Sequence, residues 1–271
     1  IGSCLCLKEG MVIVKTVYVC SDTVTGIFSG IYDAWKAGKR EEDCEIALRG
    51  QLEQQLFCDY VEVEETEHKA AAVEALIMKH LGAKAYHDIY HAVLSSDPKK
   101  GDAVLGTMLA AKEIPDSTRI MEHLSHPKVE KVFELCRNVF GETHSYKGFL
   151  RFCELENGVL YARIEPKNQI LTCLAPHFAA RLPVENWMIH DITHKTFAVH
   201  EAGKQWVIAF GGPADEEVFK RVSDREKEYV RLWKGFCKTI AIESRTNPRC
   251  QMQHLPLRYR REMAEFCNNS H

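Results

Sequence analysis

The stretch Val12–Gly38, VIVKTVYVCSDTVTGIFSGIYDAWKAG, decides how the chain begins to fold. Its first nine residues are mostly β-branched or aromatic and predict a strand over Val12–Cys20. Ser21, Asp22 and Thr23 are residue types that cap helices. Apolar residues then recur at helical spacing until Gly38, which predicts a helix that ends there. The chain therefore opens with a strand followed directly by a helix.

The same patterns divide the rest of the chain into a helix-rich first half and a sheet-forming second half. Asn157-Gly158 joins two β-like runs, and Asn-Gly is a strong hairpin signal. Further strands are predicted over Leu56–Glu64, Tyr146–Glu154, Gly158–Ile164, Trp187–His190, Thr196–His200 and Gln205–Phe210. Further helices are predicted from Thr66 to Leu81 and over Ala83–Leu94, Asp102–Ala111, Lys128–Phe140, Pro176–Arg181 and Asp215–Ile242. This order predicts an α+β fold, with a helix-rich N-terminal half packed on an antiparallel or mixed sheet and a long C-terminal helix.

Three segments are expected along the chain. Residues 1–11 do not form a convincing signal peptide, and we expect a non-native or disordered extension there. Residues 12–141 hold the strand–helix start and the helical region. Residues 142–271 hold the sheet, the long helix and a mostly irregular, arginine-rich tail, with a turn at Gly211-Gly212-Pro213. Since no linker-like composition separates the two halves, we expect one integrated globular unit.

Composition excludes several classes of protein. Of the 271 residues, 45% are apolar and 27% charged, which excludes a wholly disordered chain. No apolar run approaches the roughly 20 residues of a membrane span. The eleven cysteines are odd in number and form no CxxC pair, which argues against a zinc ribbon or an iron–sulfur cluster. We expect a cytoplasmic protein without membrane contact or cofactor, its thiols kept reduced.

Two histidine clusters have spacings that chemistry could use. His87 and His91 lie four residues apart on a predicted helix, as two metal ligands would, but the sequence shows no third ligand, and a metal site is not expected. His190, Asp191 and His194 follow a predicted strand, where the carboxylate could orient a histidine as a general base.

The net charge of −3 conceals two biased segments. Residues 41–67 contain ten acidic side chains and one basic side chain, Arg49. Residues 245–261 contain five arginines and no acidic side chain. The first segment is a solvated face or a docking surface. The second is a clamp for nucleic acid, whose guanidinium groups match phosphate oxygens, or a solvated tail.

A third basic segment is the predicted strand around Tyr146–Phe152, YKGFLRF. Alternation would place Lys147, Phe149 and Arg151 on one face, which suits phosphate contact and base stacking. The alternative is an ordinary amphipathic strand whose Tyr146, Leu150 and Phe152 lie in the core.

Five runs together resemble one uncharacterised bacterial family: Tyr146–Phe152, Leu160–Pro166 (LYARIEP), Leu174–Arg181 (LAPHFAAR), Trp187–Asp191 (WMIHD) and Ile240–Tyr259 (IAIESRTNPRCQMQHLPLRY). Members of that family are described as probable DNA metabolism proteins. They usually occur beside a radical SAM protein of DNA modification or repair, and a related domain is fused to uracil-DNA glycosylase-like domains. The resemblance runs from about Val17 to Tyr259.

The resemblance implies a DNA metabolism protein, and three hypotheses follow. The first is a nucleic-acid-binding accessory to the radical SAM enzyme, contacting DNA through Lys147, Arg151, Arg181, Arg245, Asn247, Arg249, Arg258, Tyr259 and Arg260. The second is an enzyme acting on DNA, with His177 and Asp191 as general acid and base and Arg181 as an electrostatic aid. The third is a pure protein-interaction subunit that docks on its partner through the acidic residues 41–67.

Overall fold

The computed structural model describes residues 14–52, 56–211 and 216–266. Its contacts divide the chain between Val139 and Phe140 into two compact units. The N-terminal unit contains a parallel sheet and the C-terminal unit a mixed sheet, each accompanied by helices, so the fold is α+β as predicted. The predicted extension over residues 1–11 and the predicted turn at Gly212-Pro213 lie outside the described residues.

The N-terminal unit contains a three-stranded parallel sheet in the order β2-β1-β3, in which β1 is Lys15–Cys20, β2 is Cys44–Leu48 and β3 is Cys58–Glu62. Its helices are α1 (Val24–Lys36), α2 (Glu67–His80), α3 (Gly82–Val93), α4 (Lys100–Ala110) and the first part of α5 (Pro127–Phe149). Short 3-10 turns cover Glu41–Asp43 and Ser117–Glu122.

The capping residues read from the sequence start the first two helices. The Thr23 hydroxyl accepts the N–H of Gly26 at 2.9 Å, and the Thr66 hydroxyl accepts the N–H of Lys69 at 3.2 Å. Helix α4 lies so close to β2 that a Cβ on Gly101 would approach the Ile46 side chain to 2.6 Å. Glycine is therefore required where this helix crosses the sheet.

Strand β2 is the element of this unit that the sequence did not predict. Its Cys44, Ile46 and Leu48 are buried, but the run is five residues long and follows three acidic residues that obscure it. Acidic side chains of this region have partners within the unit. Glu45 pairs with Lys15, and Arg49 Nη2 lies 2.8 Å from Glu62 Oε2.

The C-terminal unit contains a five-stranded sheet in the order β4-β5-β6-β7-β8: β4 is Cys153–Glu154, β5 is Leu160–Ile164, β6 is Trp187–Asp191, β7 is Thr196–His200 and β8 is Val207–Phe210. Strands β5 and β6 are parallel and the other pairs are antiparallel. The predicted Asn157-Gly158 hairpin is confirmed, and Gly158 supplies the positive φ of +79° that its turn needs.

The helices of this unit are the end of α5, then α6 (Leu171–Arg181), α7 (Glu216–Lys220), α8 (Asp224–Ile240), α9 (Pro248–His254) and α10 (Leu257–Arg260). The predicted long helix is interrupted, because Val222 pairs with Leu155 in a β-bridge and Ser223 caps α8 by accepting the N–H of Glu226. The tail, predicted to be mostly irregular, forms α9 and α10. Helix α6 begins at Leu171 and carries Pro176 inside it rather than at its start.

The strand predicted over Tyr146–Glu154 is wrong for most of its length. Helix α5 continues through Gly141 to Phe149, because helical spacing turns Tyr146 and Phe149 together onto the ring of Tyr259. Lys147 therefore lies on a helix, Arg151 follows its end, and the two do not share a strand face with Phe149. Among the described residues, no helix is both long enough and apolar enough to cross a membrane.

Candidate functional site

A cleft of about 700 Å³ opens in the C-terminal unit between the sheet, α7, α8 and the segment after α10. Its volume lies in the range of small-molecule binding sites. Aromatic rings supply much of its lining: Phe152, Tyr161, His190, Phe219, Tyr229 and Trp233.

The rings on the sheet side of the cleft hold one another in place. Tyr161 and Phe219 stack with ring centroids 4.5 Å apart and planes 4° apart. His190 stacks on Phe197 at 4.0 Å, and its Nδ1 lies 3.0 Å from the Tyr161 hydroxyl. Because Tyr161 and Phe197 are buried, these rings form a fixed platform rather than mobile side chains.

Cations and carboxylates line the same cleft. The cations are Arg151, Arg163, Lys220 and Lys234, and the carboxylates are Glu226, Glu262 and Glu265. Glu226 accepts the N–H of Glu154 at 3.2 Å, and Glu265 accepts the indole N–H of Trp233 at 3.0 Å. Burial raises the pKa of Glu262, an effect that the nearby guanidinium of Arg163 opposes. Stacking surfaces beside phosphate-binding cations suit a nucleotide.

The residues predicted to form a catalytic trio lie in two places. His177 and Arg181 are on α6, where burial lowers the pKa of His177 and the charges of Lys147 and Arg181 lower it further. Asp191 ends β6 and is buried; its carboxylate accepts the backbone N–H of His194 at 3.0 Å and contacts His194 Nδ1 at 2.6 Å. Within the described part of the chain, no hydrogen bond or ion pair joins Asp191 to His177 or Arg181.

Most of the predicted nucleic-acid contacts are accessible, and they include Lys147 on α5 and Arg181 at the end of α6. Arg151 lines the cleft while its guanidinium donates to the carbonyls of Gly148 at 3.0 Å and Leu150 at 3.1 Å. Arg245, Asn247 and Arg249 are exposed, and the Asn247 side chain also caps α9 by accepting the N–H of Cys250.

The other predicted tail contacts anchor the tail. Arg258 donates to Glu142 at 3.3 Å and to the Tyr259 hydroxyl at 2.5 Å. Tyr259 is buried against Tyr146 and Phe149, with ring centroids 5.0 and 5.2 Å away. Arg260 donates from Nε to the carbonyl of Leu255 at 3.0 Å. The contacts of Arg258 and Tyr259 with α5 hold the tail to its own unit, and the Arg260 bond lies within the tail.

Glu142, which the sequence did not single out, is the buried acceptor behind this anchor. Its carboxylate accepts the backbone N–H groups of Lys167 at 3.1 Å and Asn168 at 2.9 Å, and the Asn168 side-chain amide at 2.7 Å. With Arg258 as a further donor, this one carboxylate joins α5, the loop before α6 and the tail.

The sequence analysis did not include the aromatic residues of α7 and α8 among the candidate site residues. Tyr229 and Trp233 lie within the predicted helix Asp215–Ile242, where apolar residues at helical spacing are typical of a core stripe. In the structure Tyr229, Trp233 and Phe236 are exposed, and the first two line the cleft. The signal that distinguishes them is their aromatic character, since a core stripe of this length usually contains more aliphatic side chains.

The two histidines predicted four residues apart lie against each other on α3 in the N-terminal unit. The rings of His87 and His91 lie 4.2 Å apart, and His91 Nδ1 lies 2.6 Å from the carbonyl oxygen of His87. No group of three or more His, Cys, Asp or Glu side chains with metal-binding geometry occurs in the described ranges.

One family of known proteins matches the chain. A model described as a domain of unknown function, DUF4130, matches residues 98–265, which include every residue that lines the cleft. No curated protein matches the chain.

Proposed function

The chain belongs to the DUF4130 family, a domain of unknown function, and we propose that it is a nucleic-acid-binding accessory protein of DNA modification or repair. The partner that carries out the chemistry is a radical SAM enzyme, as the sequence resemblance implies. The C-terminal unit supplies the binding site, and the cleft is its centre.

The observation that carries this proposal is the pairing of stacking rings with cations in one cleft. Phe219, held in place by its stack on the buried Tyr161, and the exposed Tyr229 and Trp233 offer aromatic surfaces, and Arg151 and Lys234 lie on the same lining. Guanidinium and ammonium groups bind phosphates, and every nucleobase can stack on an aromatic ring regardless of the nucleic-acid sequence. Exposed Arg245 and Arg249 extend the cationic surface along the tail.

An accessory role is favoured over an enzyme that uses His177 and Asp191. A general acid and base must lie within reach of one substrate, whereas Asp191 is bonded to His194 and the charged neighbours of His177 are Lys147 and Arg181. Docking through residues 41–67 alone is also less favoured, because Glu45 and Glu62 have cationic partners within their own unit.

The test is fluorescence anisotropy of labelled single-stranded and duplex DNA at about 50 and 200 mM salt. We expect binding at the lower salt that weakens steeply at the higher, because each neutralised phosphate releases counterions. Arg151→Ala is expected to weaken binding roughly tenfold, the loss of one charge-assisted contact. The slope of log affinity against log salt should become shallower by about 0.7 to 0.9.

Lys204→Ala is the matched control, since Lys204 is an exposed cation of the same unit, paired with Glu201 and not part of the cleft lining. It should leave both the affinity and the salt slope unchanged. Absence of binding at 50 mM salt, or equal effects of the two substitutions, would contradict the proposal.

A further inference from the structure

The cleft contains a carboxylate whose hydrogen-bonding capacity is unused within the described part of the chain. Glu262 lines the cleft, its side chain is 46% exposed, and it makes no hydrogen bond there. Its nearest charged neighbour is Arg163, whose Nε lies 3.8 Å from Glu262 Oε1. The other two carboxylates of the lining, Glu226 and Glu265, each accept a hydrogen bond from the protein.

Arg163 is held so that it offers donors beside this acceptor. Its Nη2 donates to Glu165 at 2.8 Å, which fixes the guanidinium on β5 at the edge of the cleft. A guanidinium carries five N–H groups, so this bond leaves further donors. The cleft thus presents the two acceptor oxygens of Glu262 beside the remaining N–H donors of Arg163, in the same lining as the aromatic rings.

This arrangement is complementary to one nucleobase edge. Guanine carries two adjacent N–H donors, at N1 and N2, beside the O6 acceptor. A carboxylate can accept both N–H groups while a guanidinium donates to O6. Thymine and uracil have one ring N–H between two carbonyls and would leave a carboxylate oxygen facing a carbonyl. Adenine and cytosine each have one amino group beside an acceptor nitrogen, so both fit the carboxylate less well.

We propose that the cleft binds an unpaired guanine, stacked on its aromatic rings, with Glu262 accepting from N1 and N2 and Arg163 donating to O6. This inference rests on the proposed function and adds its substrate class. The base must be unpaired, because in a duplex the same three groups are bonded to cytosine. The backbone phosphates then lie toward the cations of the lining, Arg151 and Lys234 among them.

The test compares short labelled DNA strands that differ only at one central base in a thymine background. We expect the strand with guanine to bind at least roughly tenfold more tightly than strands with adenine, cytosine or thymine, since a bidentate contact discriminates by about this much. Replacement of guanine by hypoxanthine, which lacks the N2 amino group, should remove most of the preference. Annealing the guanine strand to its complement should remove it as well.

Glu262→Gln is the decisive variant, because it keeps the size of the side chain and removes one acceptor. It should equalise guanine and hypoxanthine while leaving binding of the all-thymine strand intact. Glu201→Gln, the same change at an exposed carboxylate outside the cleft lining, is the matched control and should retain the guanine preference. Both side chains are exposed, and circular dichroism checks that the fold is kept.

The outcomes separate the two proposals. Equal binding of all four bases, or a guanine preference that survives Glu262→Gln, would overturn the guanine assignment and leave the nucleic-acid proposal standing. Failure of every strand to bind at 50 mM salt would overturn both.

Discussion

Lys100 lies at the N-terminus of α4 with its side chain fully buried. Its ammonium pairs with Asp22 and donates to the carbonyl of Ser95 at 2.5 Å. The Asp22 side chain is 35% exposed, so the carboxylate of this ion pair remains partly hydrated while the ammonium is completely buried. Burial lowers the pKa of Lys100, and the carboxylate of Asp22 opposes that shift.

We expect substitution of Asp22 and substitution of Lys100 to change the stability of the fold by very different amounts. Asp22→Ala leaves a buried ammonium without its counter-charge and should lower the free energy of unfolding by about 3 kcal/mol. Lys100→Met fills the same space without a charge, leaves Asp22 partly in water, and should change stability by less than about 1 kcal/mol. Urea denaturation followed by circular dichroism measures both. A larger loss from Lys100→Met than from Asp22→Ala would show that the pair is not organised around the buried ammonium.

The same lysine gives stability a pH dependence with a definite sign. Because the folded pKa lies below 10.5, the folded protein releases this proton at a lower pH than the unfolded chain does. The unfolded state then holds more protons, and stability rises with pH in the window between the folded pKa and 10.5. This contribution should be absent from Lys100→Met when the two proteins are compared across that window.

Residues close in sequence were easier to predict than residues brought together by folding. The grouping of His190, Asp191 and His194 needed only the shape of a turn, and Asp191 does bond His194. Glu142 and Arg258 are separated by 116 residues, and no local pattern indicates their contact. The cleft lining could not be predicted for the same reason, since its residues come from five separate parts of the unit.

At the scale of elements, the end of α5 shows how one segment can satisfy two periodicities. In YKGFLRF, polar and apolar side chains nearly alternate, as in a strand, while Tyr146 and Phe149 are also three residues apart, as on one side of a helix. Packing decides between them: both rings contact Tyr259, which the tail brings back to α5. A pattern of seven residues cannot report a partner more than 100 positions away.

Tyr259 should therefore matter for stability rather than for binding. Tyr259→Ala removes a buried ring from contact with Tyr146 and Phe149 and is expected to cost about 3 kcal/mol in the free energy of unfolding. Tyr259→Phe keeps the ring, loses the bond from Arg258, and should cost about 1 kcal/mol. Chemical denaturation measures both losses.

Phe236→Ala is the control for the loss of an aromatic ring, since Phe236 is exposed on α8 and should change stability by less than about 0.5 kcal/mol. DNA affinity should be the same for Tyr259→Phe and the unchanged protein. A loss of DNA affinity in Tyr259→Phe without a matching loss of stability would indicate that the Tyr259 hydroxyl contacts DNA.

At the scale of the whole molecule, charge is divided between the two units. The first 139 residues contain 16 basic and 22 acidic side chains, and the remaining 132 contain 19 basic and 16 acidic side chains. A polyanion is therefore attracted to the C-terminal unit and repelled by the N-terminal one. The overall charge of −3 hides this difference.

Hydrogen exchange of the full chain, with and without a guanine-containing single strand, should show which of the two units binds DNA. Protection is expected in the strands and helices that line the cleft, β5, β6 and α8, because the bound strand restricts their opening. Amides of β1 and of α1 to α4 should exchange at unchanged rates. Protection confined to the N-terminal unit would contradict the placement of the site.

The sequence predicted most helices and strands and a mixed sheet in the second half, but not the parallel sheet of the N-terminal unit. The end of β1 at Cys20, the caps of α1 and α2 and the β4–β5 hairpin follow from local residue preferences, and all are confirmed. Strand β1 pairs in parallel with both β2 and β3. Strand β2 is only five residues long and directly follows an acidic run, so the sequence pattern does not reveal it. Parallel strands are joined by distant segments, so their pairing leaves little local signature.

The bond between Glu142 and Arg258 has an evolutionary consequence. Replacement of the buried Glu142 carboxylate alone would leave two loop amides without their acceptor, and in the described part of the tail the other partner of Arg258 is the neutral hydroxyl of Tyr259. In a set of related chains, the two positions should change together or not at all. Exposed Arg245 and Arg249, which pair with no carboxylate among the residues that the structure describes, should vary independently of α5.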